Sequence, residues 1–201
     1  MNNLMLQFKR MKHYFIASAL VFTVSMVLGA GYSEQFQAFI EMQLKGMEQW
    51  AQSITKTENP QWSLFWLIFW NNISKSLLVI GVGAFFGVIP LFFLIANGLI
   101  LGYVIAVSAQ QQSVLFVIKG ILPHGILEIP AVVFACAFGL RMGVLVMKSL
   151  WGLVNPTRSL VYKEEFRSFA KALIPVFVII IITLTVAALI ESTVTYWLIK
   201  P

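Results

Sequence analysis

Four stretches of this chain, after Tyr14, Ser76, Gly125 and Ala172, stay apolar for about 20 residues each, the length a helix needs to cross a hydrocarbon core of roughly 30 Å. Within lipid, backbone polar groups must be bonded inside the segment, so such runs fold as helices. The rest of the chain offers no competing soluble domain. Of 201 residues, 59% are hydrophobic and 11% charged, with a mean hydropathy of +0.86. The expected fold class is an all-α integral membrane protein of about five transmembrane helices, with six as the alternative. The expected spans are residues 14–32, 66–87, 90–109, 124–147 and 172–193, with an extracytoplasmic loop at 33–61 and a cytoplasmic connection at 148–171.

Charge placement supplies the orientation. Lys9, Arg10 and Lys12 precede the first apolar run, and Arg141, Lys148, Arg158, Lys163, Arg167 and Lys171 surround the connection before the last. Basic residues at span ends are retained on the cytoplasmic side, so both regions are expected there. The net charge of +6 therefore points to the membrane lipid surface as partner and away from nucleic acid. The segment from Ser33 to Gln61 carries Glu34, Glu41, Glu48 and Glu58 against Lys45 and Lys56, and is expected outside. Five spans then place the N-terminus in the cytoplasm and the C-terminus outside the cell membrane. Leu28 before Ala30 breaks the small-residue pattern of a signal-peptide cleavage site, so the first run reads as a retained span. The single Cys136 excludes a disulfide within one chain and reads as a buried apolar residue.

In the outer segment, Phe36, Ile40, Leu44, Met47, Trp50 and Ile54 recur at steps of three or four, the mark of an amphipathic helix. Its apolar face suits the membrane interface, the bundle, or a protein partner meeting Phe36, Ile40, Met47 and Trp50. The following "QWSLFWLIFW" concentrates Trp62, Phe65, Trp66, Phe69 and Trp70, as an aromatic belt does. From Ile73 to Ala109 the apolar content exceeds one span, so the chain must reverse there. Gly87 to Pro90 and Asn97-Gly98 are the two candidate breaks, and the first is preferred. The preferred turn draws "NNISKS" into the membrane. After the fourth span, an Asn-Pro turn signal introduces a basic helix suited to the cytoplasmic leaflet. Gly83 with Gly87, Gly98 with Gly102 and Gly139 with Gly143 are small-residue pairs that let helices approach closely. They suit packing within the chain and leave a homo-oligomer open.

The stretch "PHGILEIPA" carries the chemistry. His124 and Glu128 lie one helical turn apart and so share a face. A carboxylate this far into an apolar run must be paired, protonated or exposed to a water-filled cavity. Pro123 suits a helix start and Pro130 removes a backbone bond, so an irregular or broken helix start is expected. One reading is a polar lock, with His124 and Glu128 bonded to each other and to Asn71, Asn72 or Asn97, and Lys75 as counter-charge. The other is an ion, proton or small-solute pathway, since intramembrane ionisable groups often mark such routes. A metal-dependent hydrolase is disfavoured: catalytic zinc usually takes three protein ligands, whereas the chain has His13, His124, one cysteine and no aspartate. With no Gly-x-Ser-x-Gly elbow either, the expectation is no enzyme, no metal and no cofactor.

Asn-Gly-Leu-x-Leu-Gly from Asn97 to Gly102 and His-Gly-x-x-Glu-x-Pro from His124 to Pro130, with Asn71-Asn72 and the Gly87-to-Pro90 step, resemble the stage II sporulation protein M family of polytopic membrane proteins. The resemblance implies an all-helical membrane protein without established catalytic activity. It also implies an anchor for extracytoplasmic protein partners of the peptidoglycan-degrading class. Similar proteins occur in cells that do not sporulate, so sporulation itself is not implied.

Overall fold

The computed structural model describes residues 3–31, 36–42, 45, 59–111 and 114–195. Five helices long and apolar enough to cross a membrane account for most of them: α1 (Asn3–Gly31), α2 (Pro60–Val82), α3 (Val88–Gln111), α4 (Val114–Val154) and α5 (Pro156–Ile190). A π-helical segment, Glu191–Thr195, continues α5. The chain is an all-α polytopic membrane protein, as expected.

Proline fixes two helix starts. Pro60 and Pro156 occupy the first turns of α2 and α5, where the missing N–H has no intrahelical partner to lose. Asn155 alone separates α4 from α5, so these two form a tight antiparallel hairpin. Its register is marked by Gly152 against Ser159, the Lys148–Glu165 ion pair at 3.0 Å, and the Phe138 and Phe169 rings 5.8 Å apart. The basic segment from Arg158 to Lys171 is helical and joins the last span as one continuous α5.

The reversal between α2 and α3 occupies residues 83–87, at the near edge of the preferred break, and Asn97-Gly98 lies inside α3. Phe86 and Gly87 take φ values of 55° and 76°, the left-handed conformation that turns a chain sharply and that glycine adopts without strain. Hydrogen bonds from Gly87 N–H to the Gly83 carbonyl and from Leu91 N–H to the Gly87 carbonyl satisfy the turn. A tight turn fits here because Gly139 and Gly143 of α4 present bare backbone to it.

Glycine contacts also give the helix directions. Gly98 sits against Phe22 and Ser25, and Gly102 against Met26 and Ala30, so α3 runs parallel to α1. Gly83 abuts Gly139 while Asn72 meets Glu128, so α2 runs parallel to α4. The bundle is therefore up-down-up-down-up. Its basic end gathers the start of α1, the 83–87 turn and the Asn155 turn. A file of rings, Phe15, Phe134, Phe138 and Phe169, with centroids 5.0 to 5.8 Å apart, ties α1, α4 and α5 together along the core.

Two expectations change. Pro123 and Pro130 lie inside an unbroken α4 rather than at an irregular start. Transmembrane helices tolerate proline because neighbouring helices and local adjustments re-satisfy the freed carbonyls. In the outer segment, residues 36–42 are helical and fold back on the bundle: Ile40 is wholly buried, and the Phe39 ring meets Phe92 of α3 edge-on at 6.2 Å. Ile40 is thereby withdrawn from the partner-contact set, Phe36 is half-buried, and Met47 and Trp50 lie outside the described residues.

Candidate functional site

The polar residues of α2 are brought to Glu128 by the parallel packing of α2 on α4. Asn72 hydrogen-bonds the Glu128 carboxylate, and the Asn71 side-chain amide donates to the Asn72 oxygen at 3.3 Å. That second bond occupies the Asn72 oxygen and leaves its N–H groups to face the carboxylate. Lys75, one turn further along α2, lies within electrostatic range of Glu128. Its side chain is exposed on the flank of α2, beside Ser74, whose hydroxyl donates to the Trp70 carbonyl of its own helix.

Glu191 is a member that sequence reasoning missed. The antiparallel hairpin brings it from the far end of α5 into electrostatic range of Glu128. Its signal was legible: an acid near the end of the last apolar run, in "ALIESTV", is as costly in lipid as Glu128. Glu191 sits where the α-helix gives way to the π segment, a widening often associated with functional positions. Glu128 lies within the apolar span Gly125–Val154, three residues from its start, and 13 residues before Arg141, about 20 Å along α4 from that arginine's level.

The other predicted residues divide clearly. Asn97 donates to the Phe93 carbonyl of its own helix at 2.8 Å and does not join the cluster. His124 is on α4 one turn before Glu128, but its side chain lies outside the described residues. Gly83, Gly87, Gly98, Gly102, Gly139 and Gly143 are all buried at helix contacts. Among the described residues no group of three or more His, Cys, Asp or Glu side chains is arranged to hold a metal ion. At the basic end, Arg141 is 2% exposed and lies over the Phe169 ring at 5.3 Å, with Glu165, Tyr14 and Arg10 in electrostatic range. Sequence reading had given this arginine only an orienting role.

Chemically, the arrangement joins two carboxyl groups, one ammonium and two amides across α2, α4 and the end of α5. It gives Glu128 an amide partner and a cation within electrostatic range on α2, and a second acid within range at the end of α5.

Comparison with known proteins adds the lineage. Over 136 residues the chain is 29% identical to an uncharacterized protein from Methanocaldococcus jannaschii, a match covering 67% of this chain and 57% of that protein. The chain therefore aligns with little more than half of that relative's length. No solved structure matches. The profile described as stage II sporulation protein M matches residues 18–196, from within α1 through the other four spanning helices and the Glu128 cluster, and the chain belongs to that family.

Proposed function

We propose that this protein is a non-enzymatic membrane scaffold that anchors extracytoplasmic protein partners, of the peptidoglycan-degrading class that the family resemblance implies. The supporting observation is the distribution of chain outside the spans. The connections at 83–87, 112–113 and Asn155 are five, two and one residues long, whereas the segment between α1 and α2 runs from residue 32 to 59. With the basic end in the cytoplasm, that long segment is extracytoplasmic and is the one sizeable element on that side. Its described part, residues 36–42, lies along the bundle with Ile40 buried and Phe39 against Phe92, five residues from the 83–87 turn, so partner contact is assigned to the rest of the segment, around Met47 and Trp50.

Under this reading, Trp50→Ala leaves membrane-protein yield intact and lowers recovery of the cell-wall partner in a pull-down by about tenfold, as loss of an aromatic hot spot does. Unchanged recovery with normal yield would remove the outer segment from the anchoring role. A pathway for an ion, proton or small solute through His124 and Glu128 is the second reading, and the observation in its favour is the exposed Lys75 beside Glu128 within the apolar spans.

A further inference from the structure

We propose that the α2–α3 turn and the face of α4 beyond it are immersed in the acyl chains of the cytoplasmic leaflet, with the bundle tilted so that the basic stripe of α5 meets the headgroup phosphates. This goes beyond the anchoring reading and does not depend on it.

The turn itself offers water little. From Leu77 to Ala96 the chain carries no polar or charged side chain, although it reverses direction at 83–87. Phe85, Phe86 and Val88 at the tip are 64%, 54% and 64% exposed. A reversal that emerges into water ordinarily carries Asn, Asp or Ser. Here the backbone is instead closed on itself: the Ala84, Phe85, Gly87 and Val88 amides donate to the Gly81, Val82, Gly83 and Phe85 carbonyls at 2.9 to 3.2 Å. Internal bonding of this kind is what lipid requires of a backbone.

α4 continues the same surface. Gly139 and Gly143 pack on the α2–α3 hairpin, and Met147, Leu150 and Val154 follow at steps of three and four, so all lie on one face of the helix. Among the described residues nothing covers that face past the turn: Met147, Leu150 and Val154 stay exposed, as does Trp151 beside them. A contiguous exposed apolar patch marks a lipid or protein contact. Tryptophan favours the headgroup boundary, which sets the water surface on this flank near Trp151.

α5 presents the opposite character at the height of the turn. Gly152, half a helical turn round α4 from Gly143, abuts Ser159, so α5 lies on the other side of α4. That contact and the Lys148–Glu165 pair set Gly143 level with Arg167. Lys163, Arg167 and Lys171 are exposed there at four-residue spacing, with Glu164 3.8 Å from Arg167. These side chains need water or phosphate, whereas the turn needs hydrocarbon. Phospholipid satisfies both, its acyl chains covering the apolar flank and its phosphates pairing with the basic one. Eight residues separate Gly143 from Trp151, a step of about 12 Å at about 1.5 Å per residue. Across a bundle about 20 Å wide, two helix spacings, that step corresponds to a tilt of about 30°, within the range of roughly 0–40° for transmembrane helices.

The test places single cysteines in the full chain, in a Cys136→Ala background because the native thiol is buried, and reconstitutes each variant in phospholipid nanodiscs. The sites are Phe85→Cys at the turn, Leu150→Cys on α4 and Lys163→Cys on α5, all at exposed positions so that folding is spared. A charged maleimide confined to water should label Lys163→Cys readily and the other two more slowly by about tenfold or more, since the reactive thiolate forms in water and not in hydrocarbon. The same sites are then tagged with bimane and read in nanodiscs of lipid brominated along the acyl chain. Bromine should quench the tags at positions 85 and 150 and spare the tag at 163. Labelling of Phe85→Cys as fast as Lys163→Cys would overturn the proposal by putting the turn in water. Slow labelling without quenching would overturn it equally, and would assign the face to a second copy of the chain or to another protein.

Discussion

Gly143→Val is expected to destabilise the bundle by on the order of 3 kcal/mol, the upper part of the range for overpacking. A side chain at 143 has nowhere to go. Its first carbon would meet the Gly87 amide nitrogen, the Phe86 carbonyl carbon and the Gly83 oxygen, all backbone atoms of the tight turn. Flexible side chains can swing aside, but a turn whose φ values are already left-handed cannot give without unwinding. Gly83→Val should behave similarly, because its added carbon would run into the Gly139 backbone. Gly81→Ala is the matched control, since an added carbon there meets nothing within 4 Å. Thermal unfolding in detergent, read by loss of monodispersity, should show a large downward shift for Gly143→Val and none for Gly81→Ala. Equal stability of all three with the parent would mean that the turn does not pack on α4 as described.

Glu128→Ala is the second large effect, with lower yield and a loss on the order of 3 kcal/mol, as when one partner of a buried ion pair is removed. The variant strands Lys75 without its counter-charge, and Asn72 loses its acceptor. If the lock is real, the loss is shared with Lys75. A double-mutant cycle with Lys75→Met should give a coupling of about 1 kcal/mol or more in favour of the pair. Because Lys75 is exposed and so screened wherever water reaches it, the coupling should lie well below a fully buried pair's. Additivity within about 0.5 kcal/mol would mean that Lys75 and Glu128 act separately.

How far these features could be read in advance depends on the kind of interaction. The spans were legible because apolar length is a local property, and the small-residue pairs because only glycine admits backbone contact. The partnership of Glu128 with Asn72 and Lys75 was legible from cost alone: a carboxylate in lipid needs donors, and α2 was the segment that carried them. Glu191 was not placed beside Glu128, because that contact depends on a one-residue turn at Asn155 making α4 and α5 a close hairpin. Asn97 was grouped with the cluster on chemistry, yet its amide is used on the Phe93 carbonyl of its own helix. The prolines misled for a related reason, since the neighbours that tolerate Pro123 and Pro130 within α4 come from other helices. Burial of Ile40 shows the same limit: periodicity identifies an apolar face but not what covers it.

The central claim is that the Glu128 cluster holds the bundle together and that the protein's working surface lies elsewhere. A structure in a lipid nanodisc that resolves side chains and waters around Glu128 tests it most directly. The account predicts a dry site, with Glu128 bonded to Asn72, Lys75 nearby on α2, and no water file reaching it from either membrane face. A continuous hydrated path to Glu128, or an ion bound there, would contradict it and make conduction the primary function.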